Sequence, residues 1–166
     1  MDRFRIIMSA ATLFAVGLAA AGIVVIVDDA SSGAAASPAA AATPSPRSGT
    51  FEGAVPIGGG RQLYLRCAGV GEPTVILESG IHDSSDTWAL SDTSAAPVFT
   101  EVSRLTHVCR YDRPGTIRYS DPPAITTRST PVAMPRTMQS MVADLHALVT
   151  AAGIPGPYVL AGHSYG

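Results

Sequence analysis

The stretch that most constrains the fold is residues 137–166, TMQSMVADLHALVTAAGIPGPYVLAGHSYG. Thr137 can cap a helix that Gly153 ends, with Pro155 beyond it. Apolar residues between these signals recur at helical spacing and form one stripe: Met138, Met141, Val142, Leu145, Leu148, Val149 and Ala152. The run PYVLAG then predicts a buried strand. Strands that alternate with helices indicate an α/β domain with a mainly parallel sheet and flanking helices.

The preceding segment, residues 51–136, shows the same alternation. Short apolar runs predict strands at Gln62 to Cys67, Thr74 to Glu78 and His107 to Tyr111. Residues 96–105 carry apolar side chains at helical spacing. Thr116 to Arg136 has several prolines and no period, which predicts a long loop. The folded domain is therefore expected to cover residues 51–166.

The sequence closes on GHSYG, a Gly-x-Ser-x-Gly motif. In a nucleophile elbow, such a motif sits on a sharp turn between a strand and a helix, with the serine hydroxyl exposed at the crest. Gly162 and Gly166 would avoid clashes that a Cβ creates in so tight a turn. The motif alone is weak evidence because Gly and Ser are frequent in this chain. The apolar strand directly before Gly162 strengthens it and makes Ser164 the candidate nucleophile.

Three stretches in this order resemble the α/β-hydrolase superfamily, in particular its exported serine hydrolases of actinobacterial type. PTVILESGIHDSSDTW is similar to the family's strand and oxyanion loop, VCRYDRPG to its Asp-Arg-x-Gly strand end, and residues 137–166 to its helix and elbow. The resemblance covers Gln62 to Gly166 and implies the N-terminal part of an α/β-hydrolase fold. Two departures leave the loop conformations open: Ser79 stands where many relatives have His, and Ile117 and Tyr119 occupy later positions of the Asp-Arg-x-Gly motif.

The resemblance implies a role for each matching residue. Ser164 would attack a carbonyl carbon and form a covalent acyl-enzyme. The backbone N–H groups of Tyr165 and Ile81 would form the oxyanion hole. In this family the catalytic acid and the histidine base follow the elbow in chain order. The 166-residue chain is therefore expected to be a fragment that is inactive by itself, and no cofactor is expected.

Other polar residues are interpreted as structural. His163 is expected to diverge from Ser164, and His82 to face solvent, with a place in the acyl pocket as its alternative. Asp112 and Arg113 are expected to fix a loop. His107, Asp144 and Glu78 are interpreted as structural, and His146 as a surface or packing residue. Trp88 is expected to anchor the first helix, with a place at the border of the cleft as its alternative.

The family's strand order also implies a disulfide. It places the strand of Cys67 beside the strand of Cys109 in antiparallel orientation, so that the two cysteines would lie close together. Export of the domain would allow the bond to form. The alternative is two buried thiols.

The N-terminus is expected to lie outside the fold. Ile6 to Val27 runs without a charge, which is long enough for a membrane-spanning helix. Residues 1–29 therefore predict a membrane anchor, with a cleaved signal sequence as the alternative. Arg3 and Arg5 favour a cytoplasmic N-terminus and an exported remainder. Residues 30–50 are rich in Ala, Ser and Pro and predict a disordered linker.

Composition limits the partners. The net charge of −2 gives no electrostatic footprint for nucleic acid. The expected partners are a small ester or acyl substrate and, through the anchor, the membrane. The expected reaction is hydrolysis of a carboxylic ester or related acyl bond. The alternatives are acyl transfer on the same fold and a non-catalytic, hydrolase-like binding protein.

Overall fold

The computed structural model describes residues 25–27, 49–91 and 95–166. In this part of the chain one sheet contains the strands β1 Val25–Val27, β2 Phe51–Gly58, β3 Arg61–Ala68, β4 Thr74–Glu78, β5 Val108–Tyr111 and β8 Tyr158–Gly162. A separate two-stranded ribbon is formed by β6 Ile117–Arg118 and β7 Ala124–Ile125. The helices are a 3-10 helix at Ser85–Ala89, α1 Val98–Ser103 and α2 Met138–Ala151.

The sheet is mixed, with strand order β1-β8-β4-β5-β3-β2. Strands β8, β4 and β5 run parallel at its centre, whereas β2, β3 and β1 join by antiparallel pairing. The prediction of a mainly parallel sheet therefore holds only for the centre. The chain leaves β4 to form β5 on one side and returns to form β8 on the other. The carboxyl ends of β4 and β8 thus lie at a topological switch point, where α/β folds place their ligands.

Strand β2 was not predicted from the sequence. It forms a hairpin with β3 through Gly58, Gly59 and Gly60, which all have positive φ. Glycine reaches this backbone region without the steric cost that a Cβ brings. The hairpin extends the sheet beyond β5 on the side away from the elbow.

Two apolar clusters form the core, one on each face of the sheet. Successive strand residues point to opposite faces, so Ile76 joins the cluster with Leu148 of α2, and Leu77 joins the cluster with Phe99 of α1. Trp88 packs against the α1 cluster, as its interpretation as an anchor for the first helix predicts. The two helices therefore cover opposite faces, and the candidate site lies at the edge between them.

Helix α2 begins at its predicted cap, where the Thr137 hydroxyl accepts from the backbone N–H of Ser140. The predicted apolar stripe is correct only in the C-terminal half. Leu148 and Val149 are buried, but Met138 and Val142 are 55% and 61% exposed. Asp144, which is buried in the middle of the helix, is bound by two arginines, so α2 turns a polar contact inward that the apolar pattern does not show.

The predicted membrane helix falls almost entirely outside the described residues. Its last three residues do not: Val25–Val27 is strand β1, antiparallel to β8, so the prediction of a helix is wrong for these three. Val and Ile favour extended backbone, and these three residues pair with Tyr158, Val159 and Leu160 of β8. Within the described residues no helix has the length and apolar character needed to span a bilayer. The linker of residues 30–50 is described only at Gly49 and Thr50.

Cys67 and Cys109 are directly opposite each other on β3 and β5, with their Cα atoms 4.1 Å apart. The structure joins them by a disulfide, and both residues are buried. The bond links the antiparallel hairpin to the parallel centre of the sheet.

Candidate active site

Ser164 occupies a sharp turn immediately after β8. Its φ of +59° lies in the left-handed region, which is unfavourable for a residue with a Cβ. The turn is closed by the N–H of Gly166, which donates to the carbonyl of His163 at 3.0 Å. The Ser164 residue is exposed. A strained, exposed serine on a tight turn is the backbone signature of a nucleophile elbow.

The two glycines of the motif are required by close backbone contacts. A Cβ on Gly162 would lie 2.4 Å from the carbonyl carbon of Gly166, and a Cβ on Gly166 would lie 2.4 Å from the carbonyl oxygen of Glu78. Both neighbours are backbone atoms, which cannot move aside as a side chain can. The elbow therefore packs directly on the end of β4.

The loop after β4 lies against Ser164. A Cβ built on Gly80 would lie 3.5 Å from the Ser164 Cβ, at van der Waals contact, so this loop runs directly beside the serine. Ile81 and Tyr165, the predicted sources of the oxyanion-hole N–H groups, are 55% and 45% exposed on either side of the serine. The structure thus brings the three predicted site residues to one edge of the sheet.

A cavity of about 200 Å³ opens beside Tyr165 and Ile81. Its walls are mainly apolar and come from the loop after β4, the loop after β5, the segment before α2 and the first turn of α2, including Pro114, Met134 and Met141. Such a cavity could hold an apolar group of a substrate whose reacting atom lies at Ser164.

Ile117 and Tyr119, where the sequence departs from the Asp-Arg-x-Gly pattern described above, form hydrogen bonds to the loop after β4. Ile117 donates its N–H to the carbonyl of His82 at 2.6 Å and accepts from the N–H of Ser84 at 2.9 Å. The Tyr119 hydroxyl donates to the Asp83 carboxylate at 2.8 Å. Residues 116–126, expected to form an irregular loop, therefore contain a short ribbon that supports the site.

Asp112 fixes the loops, as predicted. Its carboxylate is completely buried and accepts hydrogen bonds from Ser85, Thr126 and Arg128. These partners lie in the 3-10 helix and in the segment that follows β7. Arg113, next in sequence, faces the elbow, where its guanidinium contacts the loop after β4.

Glu78 ends β4 beside Gly162. Burial raises the pKa of its carboxyl group, while the hydroxyl of Tyr111 at 2.6 Å and the charge of Arg113 oppose the rise. Its hydrogen bond to Tyr111 ties the ends of two parallel strands together, in agreement with a structural role. Sequence reasoning missed this pair because it joins residues 33 positions apart.

The histidines occupy different environments. His163 is exposed. His82 is exposed, as expected, and it also lines the cavity. His107 is buried beside Thr74, and burial lowers its pKa. His146 is exposed on α2. Among the described residues, no hydrogen bond links any of them to the Ser164 hydroxyl.

One group in the described part of the chain has potential metal ligands close together. The ligand atoms of Cys67, His107 and Cys109 lie within 4.8 Å of one another. Since the two sulfurs are bonded to each other, they are not the thiolates that metal ions require. The group does not form a metal site in this oxidised state.

Comparison with solved structures finds a likeness to a crystal structure of an aCif variant, with a TM-score of 0.50 and 15% sequence identity. The match covers 72% of this chain and 32% of that one, so this chain spans about a third of its length. At this identity the likeness concerns the fold alone, and it agrees with an α/β architecture. No protein-family model and no curated protein matches the sequence.

Proposed function

We propose that this chain carries the nucleophile and oxyanion hole of a serine hydrolase of the α/β-hydrolase type, which cleaves carboxylic esters or related acyl bonds. The observation that carries the proposal is the left-handed backbone of Ser164, held between two glycines that no other residue could replace without a clash. Strain of this kind persists only where the surrounding structure enforces it, and it concentrates at functional sites.

The proposed reaction begins with attack of the Ser164 hydroxyl oxygen on the substrate's carbonyl carbon. As the C–O bond forms, the hydroxyl proton passes to a base and the carbonyl oxygen gains negative charge. The N–H groups of Tyr165 and Ile81 would stabilise this oxyanion. Its collapse expels the alcohol and leaves an acyl-enzyme, which water then hydrolyses to the acid.

The base and acid are assigned to residues that follow Gly166. This assignment rests on chain order in the family that the sequence resembles. It also agrees with the site, because Asp112 is committed to buried contacts and His163 is not hydrogen-bonded to Ser164 in the described structure. We therefore expect the natural gene to encode further strands, an Asp or Glu and then a His, which sequencing past Gly166 would test.

The proposed location is outside the cytoplasm, with the hydrolase domain either anchored or secreted after signal cleavage. The buried disulfide supports this, because disulfides persist in oxidising compartments. Fractionation of cells that express a tagged protein from the complete gene, called the full-length protein below, tests this location. Recovery only from the soluble cytoplasm would contradict both forms of export.

Labelling with a fluorophosphonate tests the catalytic proposal. The full-length protein should be labelled, Ser164→Ala should not, and Ser120→Ala, which changes an exposed loop serine, should be labelled like the wild type. Equal labelling of Ser164→Ala and the wild type would remove Ser164 from the mechanism. A folded wild type that resists labelling would favour a binding protein. Product analysis with an added alcohol distinguishes hydrolysis from acyl transfer.

A further inference from the structure

The guanidinium of Arg113 contacts the loop that supplies one of the proposed oxyanion donors. One terminal nitrogen donates to the carbonyl oxygens of Ser79 and Gly80, at 2.5 and 2.6 Å. Arg113 lies two residues beyond the end of β5, so these bonds connect the ends of two neighbouring parallel strands. They are charge-assisted, which makes them stronger than bonds between neutral groups.

The second of these bonds helps to orient the Ile81 N–H. The Gly80 carbonyl also accepts from the backbone N–H of Asp83, at the longer distance of 3.2 Å. The Gly80 carbonyl and the Ile81 N–H belong to the same peptide unit, which is planar. In a trans unit the oxygen and the hydrogen point in opposite directions. Holding the oxygen on the Arg113 side therefore aims the N–H away from Arg113. Donation to the carbonyl also polarises the peptide, which strengthens its N–H as a donor.

The same side chain contacts the second oxyanion residue. The Arg113 guanidinium carbon lies 5.9 Å from the centre of the Tyr165 ring, within range of a cation–π interaction. Arg113 is itself anchored, since its carbonyl accepts from the Thr116 hydroxyl at 2.9 Å. One side chain thus bridges the loop after β4 and the residue after the nucleophile.

We propose that Arg113 is a positioning residue that orients the Gly80–Ile81 peptide, and with it the Ile81 N–H, toward the oxyanion formed at Ser164. The inference rests on the proposed function. Arg113 touches no reacting atom in this account. Arg113 also lines the cavity beside Ile81 and Tyr165. Because its proposed effect is to preorganise a donor, its loss should act mainly on the rate of the chemical step.

The test compares Arg113→Met and Arg113→Lys with the wild type in the full-length protein. Arg104→Met is the matched control, because Arg104 is an exposed arginine whose ion pair with Glu101 lies away from the elbow. Ester hydrolysis gives kcat and KM, and fluorophosphonate labelling gives the rate of serine modification. Each rate is divided by the folded fraction that circular dichroism measures on the same sample, so partial unfolding does not obscure the result.

Arg113→Met should lower kcat and the labelling rate by about 10- to 100-fold, less than the outright loss of an oxyanion donor. KM should change by a smaller factor than kcat, and Arg113→Lys, which keeps a cationic donor, should recover a large part of the rate. Rates for Arg113→Met equal to those of Arg104→Met, or a lysine variant no better than the methionine variant, would overturn the inference. Labelling that persists in Ser164→Ala would instead overturn the proposed function.

Discussion

Replacing Asp112 by asparagine should destabilise the fold, because this carboxylate is the centre of a buried network. It is fully buried and accepts five hydrogen bonds. One oxygen accepts from the N–H and hydroxyl of Ser85 and from a terminal nitrogen of Arg128, at 2.8 to 2.9 Å. The other accepts from the Thr126 hydroxyl at 2.8 Å and from the Nε of Arg128 at 2.7 Å.

The magnitude follows from the donors that Asp112→Asn would strand. An amide NH₂ must replace one of the two oxygens. Even on the oxygen with fewer donors, where the Thr126 hydroxyl can rotate to accept, the Nε–H of Arg128 would face another donor and its ion pair would be lost. Each stranded donor costs about 1–3 kcal/mol. Arg128 keeps a second partner in Asp86 at 3.1 Å, which limits the penalty. We expect a loss of about 3–4 kcal/mol, within the range of about 3–5 kcal/mol for breaking a buried ion pair.

Urea unfolding of the full-length protein, followed by circular dichroism, measures this loss. Asp121→Asn, on an exposed part of the following loop, is the matched control and should change the free energy of unfolding by less than about 0.5 kcal/mol. A loss below about 1 kcal/mol for Asp112→Asn would refute the network argument. Unchanged stability together with a large fall in kcat would instead make Asp112 catalytic, against the role assigned here.

Three further outcomes are expected. Ser164→Gly should abolish labelling yet be about 0.5–1 kcal/mol more stable to heat than Ser164→Ala, because glycine relieves the strain at φ +59°; equal stabilities would count against that strain. Replacing Cys67 and Cys109 together by alanine should cost up to about 4 kcal/mol in urea unfolding, from the entropy of a loop that spans 42 residues; an unchanged midpoint would show that the bond does not form. Burial raises the pKa of the Glu78 carboxyl group in the folded state, so ionisation of this group opposes folding. The free energy of unfolding should therefore fall as the pH rises from the pKa of the unfolded chain through that of the folded protein. Glu78→Gln, which can still accept from Tyr111, should therefore gain stability relative to the wild type as the pH rises above about 4, the ordinary pKa of a Glu, in thermal unfolding; a constant difference would contradict the shift.

Local signals in the sequence predicted the central elements of the fold. The strands expected at Thr74 to Glu78 and at His107 to Tyr111 occur within one residue of those limits. Apolar runs bounded by Pro and Gly are visible without any knowledge of the partners. The Thr137 cap was predictable for the same reason, since its hydroxyl bonds a residue only three positions ahead.

Features that depend on distant residues were not predictable in this way. Asp144 interrupts the apolar face of α2 because Arg61 and Arg136 bind it from two other segments. Burial raises the pKa of the Asp144 carboxyl, but the two guanidiniums outweigh burial and hold the pKa below its usual value. Helical periodicity contains no information on such partners, so it could not predict that α2 buries Asp144.

The same distinction between local and distant contacts applies to the candidate site. The elbow is a local motif, and both its serine and its glycines could be recognised in five consecutive residues. The contacts of Arg113 could not, because its two carbonyl partners lie 33 and 34 positions earlier in the chain. Sequence alone indicated only that Asp112 and Arg113 fix a loop, without showing which loop each of them holds.

The division of work between Asp112 and Arg113 links the stability of the domain to the proposed chemistry. Asp112 fixes the backbone after β5 through its buried hydrogen bonds. Arg113, the next residue, extends from that fixed backbone and holds the loop after β4 through its guanidinium. Loss of Asp112 should therefore also loosen the Arg113 contacts, whereas loss of the Arg113 side chain leaves the Asp112 network intact. This asymmetry predicts that Arg113 variants lose rate with little loss of stability, and that Asp112 variants lose both together.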